Sequence, residues 1–90
     1  MPKFRKKPVV IEAIQYTGNN SDEILGFAKR FYELDLEDRD DHEVIAEVWD
    51  KLHSTWVGVK NGQWIIKGIQ GEFYPCDEDV FKSTYEPVEE

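Results

Sequence analysis

Cys76 is the only cysteine in the chain, and with His42 and His53 it forms the one set of residue types suited to nucleophilic chemistry. Cys76 stands just ahead of an expected helix start, a position that lowers a thiol pKa. A lone Cys after a strand is more often a small buried hydrophobe, so the sequence favours a non-catalytic reading. One thiol forms no intramolecular disulfide and no cysteine-based zinc cage. P-loop, GxGxxG and HExxH motifs and a metal-spaced histidine pair are absent, and the sequence implies neither a cofactor nor a metal.

The acidic run from Glu33 to Glu43 is the second chemical candidate, with Asp35, Glu37, Asp38, Asp40 and Asp41 as its acidic surface. A calcium loop needs a Gly at its sharp turn, and this run has none. His42 beside Asp40 and Asp41 suits a transition metal by type, but neighbouring side chains point apart. Carboxylates can also imitate phosphate spacing or dock a partner. Such dense like charge repels itself, so the plainest expectation is a hydrated loop over residues 33–43.

Aromatic residues supply the third candidate. Trp49, Trp56, Trp64, Phe73 and Tyr74 fall on expected strands, and a domain this small cannot bury all of them. An exposed subset marks a partner or ligand surface. Trp56 or Tyr74 can stack a flat, nucleotide-like ligand, with Lys67 to hold its charge and His53 and Cys76 close in sequence to these strands. Gly68-Ile-Gln-Gly71 matches the GxxG clamp of some nucleic-acid binders, but it joins two strands and is followed by Glu72. Its glycines read as turn residues. A net charge of −8, with 19 acidic against 11 basic residues, also disfavours general phosphate-backbone binding.

These residues need elements to position them. Ninety residues suit one small domain over 1–90. Residues 1–7, with Lys3, Arg5, Lys6 and Lys7, read as a flexible basic arm closed by Pro8. The apolar run that follows is too short for a signal peptide, and none approaches the ~20 residues of a membrane helix. Val9–Tyr16 reads as a strand with apolar residues on both faces, hence mid-sheet or covered on both sides. Asn20 and Glu23 then form a capping-box start, and Ile24, Phe27, Ala28 and Phe31 share one face of a helix ending near Tyr32 or Glu33. Gly26 inside that helix suggests a packing reason.

Period-two runs then predict four strands, at residues 44–49, 54–60, 63–68 and 71–74. Asn61-Gly62 suits a type I′ hairpin turn, which makes the set an antiparallel meander. Pro75 ends the last strand, and Asp77 caps a short helix from Glu78 to Tyr85. The expected fold is α+β: one antiparallel sheet of about five strands, in the order β-α-β-β-β-β-α. An amphipathic helix packs on it, and a short helix closes the chain.

Three stretches resemble a known family. They are Arg5-Lys-Lys-Pro-Val-Val-Ile-Glu-Ala-Ile-Gln-Tyr16, Leu52-His-Ser-Thr-Trp-Val57, and Trp64-Ile-Ile-Lys-Gly-Ile-Gln-Gly-Glu-Phe-Tyr-Pro-Cys76 with Phe81 and Tyr85-Glu-Pro-Val88. They are similar to small uncharacterised proteins encoded by bacteriophages and prophage regions of bacterial genomes. Many members carry Gly-Asp before the aromatic that opens the fourth strand. Here the residues are Gly62-Gln63-Trp64, so no carboxylate role carries over. The resemblance implies a phage accessory protein in the host cytoplasm and supplies no catalytic residue. With the acidic run and the aromatic meander, it leads to a binding domain for a host or phage macromolecule. A nucleotide-like ligand or an enzyme using Cys76 and His53 are the alternatives. The open edge of the expected sheet also allows a homodimer.

Overall fold

In the computed structural model, which describes residues 1–5, 8–39 and 43–88, the fold is α+β. The elements are β1 (Glu12–Gln15), α1 (Ser21–Ala28), β2 (Phe31–Glu33), a 3-10 turn (Leu36–Asp38), β3 (Val44–Asp50), β4 (Thr55–Lys60), β5 (Trp64–Lys67), β6 (Phe73–Cys76) and α2 (Glu78–Thr84). No helix among the described residues is long and apolar enough to cross a membrane.

The strands form two antiparallel three-stranded sheets instead of one, ordered β1-β5-β6 and β2-β3-β4. The split originates at Asn61-Gly62, which does not make the expected hairpin. Gly62 alone takes a positive φ, 91°, whereas a type I′ turn needs two such residues. The chain then turns to β1. Gly62 N–H donates to Tyr16 O (2.8 Å), Tyr16 N–H to Gln63 O (2.8 Å) and the Gln15 side-chain amide to Gly62 O (3.0 Å). β5 consequently pairs with β1, from Glu12 opposite Lys67 to Gln15 opposite Trp64.

The helix is shorter than its apolar period suggests. Lys29 adopts φ 72° and its N–H closes on Leu25 O (2.8 Å), so α1 ends at Ala28. Phe31 and Tyr32 pass into β2, opposite Val48 and Glu47, because the edge of β3 offers their backbone groups partners. Asn20 does not cap α1 with a side-chain bond to a helix N–H. Its amide spans the turn instead, accepting from Thr17 N–H (2.9 Å) and donating to Gln15 O (2.7 Å) and Glu23 (2.8 Å). Gly26 has no packing reason: a Cβ added there meets nothing within 4 Å.

Three further expectations change. β1 starts at Glu12 and lies at a sheet edge, not in the middle. Pro75 sits inside β6, also an edge strand, where its missing N–H costs no ladder bond. Asp77 does not cap α2; its carboxylate accepts from the Gln63 amide (2.8 Å). The acidic connection is also not wholly a loop. Glu33 belongs to β2, and Leu34 N–H donates to Ile45 O (2.9 Å). The Arg39 guanidinium donates to Leu34 O (3.0 and 3.3 Å). Asp40, Asp41 and His42, like Lys6 and Lys7 of the basic arm, lie outside the described residues.

The core fills the space between the sheets and α1. Ile24 and Ala28 of α1 meet Phe31, Ala46, Val48, Val59, Ile65 and Phe73, with Tyr16 edge-on to Phe31 at 5.2 Å. The other face of the β1-β5-β6 sheet is covered by α2, where Phe81 stacks on Trp64 at 4.3 Å.

Ile65 is fully buried between these layers. Ile65→Ala is expected to cost about 2–5 kcal/mol in urea unfolding. Gly26→Ala is expected to stabilise by about 0.5–1 kcal/mol, since Ala relieves the helical entropy penalty and meets no neighbour. A destabilising Gly26→Ala would contradict the open environment of that residue.

Candidate functional site

Alternation in β3 sends Ala46 and Val48 into the core and leaves Glu47 and Trp49 on the outer face. The β3–β4 register sets Trp49 opposite Trp56, and the β2–β3 register sets Tyr32 opposite Glu47. The three rings meet edge-to-face: Trp49–Trp56 at 5.3 Å and Tyr32–Trp56 at 4.8 Å. Arg30 precedes β2 and holds its guanidinium 4.3 Å from the Trp49 ring centre and 5.3 Å from that of Trp56. Arg30 is exposed, and cation–π contacts at exposed sites are worth about 0.5–1 kcal/mol. Tyr32 is 41% exposed, and both indoles are half-buried.

The Tyr32 hydroxyl donates to the Glu47 carboxylate, and this bond raises the phenol pKa above its ordinary value. Burial and the field of Asp38 add to the shift. Asp38 belongs to the 3-10 turn, and its charge reaches the Tyr32 phenol. Asp35, Glu37 and Asp38 are all exposed there, beside Leu36. Sequence reasoning named Trp49, Trp56 and the acidic residues but missed Arg30 and Tyr32 as their partners. The cross-strand signal existed for Trp49 and Trp56, but Tyr32 was assigned to a helix.

His53 belongs to a tight turn. Asp50, 6% exposed, accepts from Leu52 N–H (3.0 Å) and His53 N–H (3.3 Å), and its second oxygen lies 2.7 Å from His53 Nδ1. The imidazole bond leads the causes that hold the Asp50 carboxyl below the usual carboxylate range. Among the described residues no Ser, Thr or Cys side chain bonds to His53. The Asp–His pair closes the β3–β4 connection.

Cys76 and Tyr74 share one face of β6, while Lys67 ends β5 exposed, opposite Glu12 and Phe73. Burial pushes the Cys76 thiol pKa up, and Asp77 adds to it. The expected activation by the α2 N-terminus is therefore not the outcome. Burial, a hydrogen bond with Tyr85 and the charge of Glu72 push Tyr74 up to about 12. Trp56 lies in the other sheet from Tyr74 and Lys67, so these three residues do not share a strand ladder. Glu72 holds the Gly68–Gly71 turn, accepting from Gln70 N–H (3.0 Å). Among the described residues, no group of three or more His, Cys, Asp or Glu side chains could hold a metal ion.

A groove of about 930 Å³ runs beside β1, with Phe27 and Ile14 on one side and Trp64, Phe81 and Tyr85 on the other. Trp64 Nε1 is buried and finds no acceptor within the described residues. A buried unpaired donor costs ~1–3 kcal/mol, so this indole is held by stacking against a polar penalty.

Comparison with known proteins finds no matching family model, no similar curated protein and no similar solved structure.

The depressed Asp50 carboxyl sets a pH dependence. Its ionised form stabilises the fold above the unfolded-state value of about 4, and this is lost as pH falls through the lower folded value. The urea midpoint of Asp50→Asn is expected to fall less than that of the parent between about pH 5 and pH 2.5. Parallel curves for the two proteins would show that Asp50 does not contribute. Cys76 is expected to alkylate with iodoacetamide more slowly than free cysteine at neutral pH and to speed up as pH rises. Rapid alkylation at neutral pH would contradict the raised thiol pKa.

Proposed function

We propose that this chain is a non-catalytic interaction domain that docks a basic segment of a protein partner on the Tyr32–Trp49–Trp56 face. The observation that carries this reading is the half-exposed edge-to-face cluster of Tyr32, Trp56 and Trp49, with the Glu47 carboxylate bound to Tyr32 and the charge of Asp38 reaching the phenol from the 3-10 turn. Trp, Tyr and Arg are the side chains most enriched at binding hot spots. The exposed carboxylates of Asp35, Glu37 and Asp38 suit Lys and Arg on the partner, and they attract it at long range. Arg30 over Trp49 already displays how a guanidinium sits on these rings.

The raised Cys76 thiol and the structural bonding of His53 weigh against a reaction at either residue. A bacteriophage or prophage origin, with the host cytoplasm as the working compartment, completes the proposal. It rests on the resemblance of Arg5–Tyr16 and Trp64–Cys76 to small phage proteins. The partner is then a host or phage protein. The net charge of −8 weighs against nucleic acid.

Selection of random peptides on the immobilised chain tests the proposal, with Trp56→Ala as the control surface. The expected result is enrichment of segments rich in Lys and Arg, with binding that weakens as salt rises. Trp56→Ala is expected to cost about 2 kcal/mol, a roughly 30-fold rise in Kd. Peptides bound equally by the parent and by Trp56→Ala would sink the proposal, as would selection with no basic enrichment.

A further inference from the structure

The outer face of the β2-β3-β4 sheet already carries a cation of its own. Lys29 ends α1 at φ 72°, and Arg30 O then accepts from Trp49 N–H (3.0 Å). That bond continues the β2–β3 register by one residue, so Arg30, Trp49 and Trp56 form one row across the sheet. Tyr32, Glu47 and Gly58 form the next row.

The two indole planes meet at 68°, and the Arg30 guanidinium sits in the corner between them. Among the described residues this exposed guanidinium makes no hydrogen bond and no ion pair. One row away, one Glu47 oxygen accepts from the Tyr32 hydroxyl, and the other has no partner among the described residues. Glu47 and Trp49 are two residues apart on the same face of β3, roughly 6–7 Å by strand rise. The cation and the carboxylate oxygen thus stand side by side without joining.

We propose that this corner is an arginine seat, in which Arg30 stands in for an arginine of the basic partner and leaves when that residue arrives. The inference rests on the docking reading above and names the side chain that is read. An arginine entering from solvent stacks on the same two indoles and turns its fork toward the second Glu47 oxygen. It gains a stack and a charge-assisted bond, where Arg30 has the stack alone. A lysine ammonium has no planar face to stack and is more strongly hydrated, so the seat selects arginine. Arg30 covers the indoles in the free protein, and its displacement sets the threshold for binding.

NMR titration of the isotope-labelled chain with a short oligo-arginine peptide, and with oligo-lysine of equal length, tests the seat. Oligo-arginine is expected to bind the tighter of the two and to move the Arg30 Nε–H signal toward that of an unstacked arginine. Arg30→Ala keeps the backbone bond to Trp49 and is expected to tighten oligo-arginine about 2–5-fold, the worth of one cation–π contact at an exposed site. Glu47→Gln is expected to weaken it at least roughly threefold. If Arg30→Ala unfolds, the Arg30 signal of the parent decides. Peptides bound equally by the parent and by Trp56→Ala overturn the docking reading, and the seat with it. Binding that needs Trp56 but is weakened or unchanged by Arg30→Ala overturns the seat alone. So does an Arg30 signal unmoved by oligo-arginine, equal affinity for the two peptides, or indifference to Glu47→Gln.

Discussion

The structure depends on how the backbone groups at Gly62 and Gln63 are satisfied. Tyr16 and Gln15 take them, so the chain leaving β4 does not return along β4. It crosses to β1 and starts a second sheet. Every buried backbone group needs a partner, and the first strand of the chain had an edge to offer. From that exchange follow the two-layer core, the position of β6 against β3 and β4, and the outer surface that α2 covers with Phe81 on Trp64. A single meander would have buried one face of one sheet. Two sheets sandwich Ile65, Phe73 and Val48 with α1 instead.

The same division creates two surfaces of different character. On the β2-β3-β4 sheet, the outward face gathers Tyr32, Trp49 and Trp56 under Arg30, bordered by carboxylates. It has polar atoms, charge and rings, the mixture found at the centres of protein interfaces. On the β1-β5-β6 sheet, the free edge is backbone and aliphatic side chain. It suits pairing by main-chain hydrogen bonds, which read shape more than sequence.

His53 and the carboxylates at the turns have structural tasks. Asp50 binds two backbone amides and the His53 ring to close a turn, Glu72 holds the Gly68–Gly71 turn, and Asp77 takes the Gln63 amide. A small domain has few residues to satisfy its connections, and its carboxylates serve as acceptors for turns. Cys76 is half-buried on β6, and burial makes its thiol less acidic.

The sequence alone determined the α+β class, the cores of five of the six strands, both helices and the residues that α1 buries, because these follow from local periods of two and 3.6. Ile24 and Ala28 are inside for that reason. It also singled out Trp56 and the acidic residues, by type. Tertiary structure decided what those local signals leave open. The end of α1 is set by Lys29 and by the offer of β3 as a pairing edge, and so Tyr32 became a strand residue facing Trp56. Asn61-Gly62 reads as a hairpin on propensity, yet the competition between β1 and β4 for the next strand is a long-range matter. The aromatic face followed from that same pairing, since register, not sequence distance, puts Tyr32, Glu47 and Trp56 together.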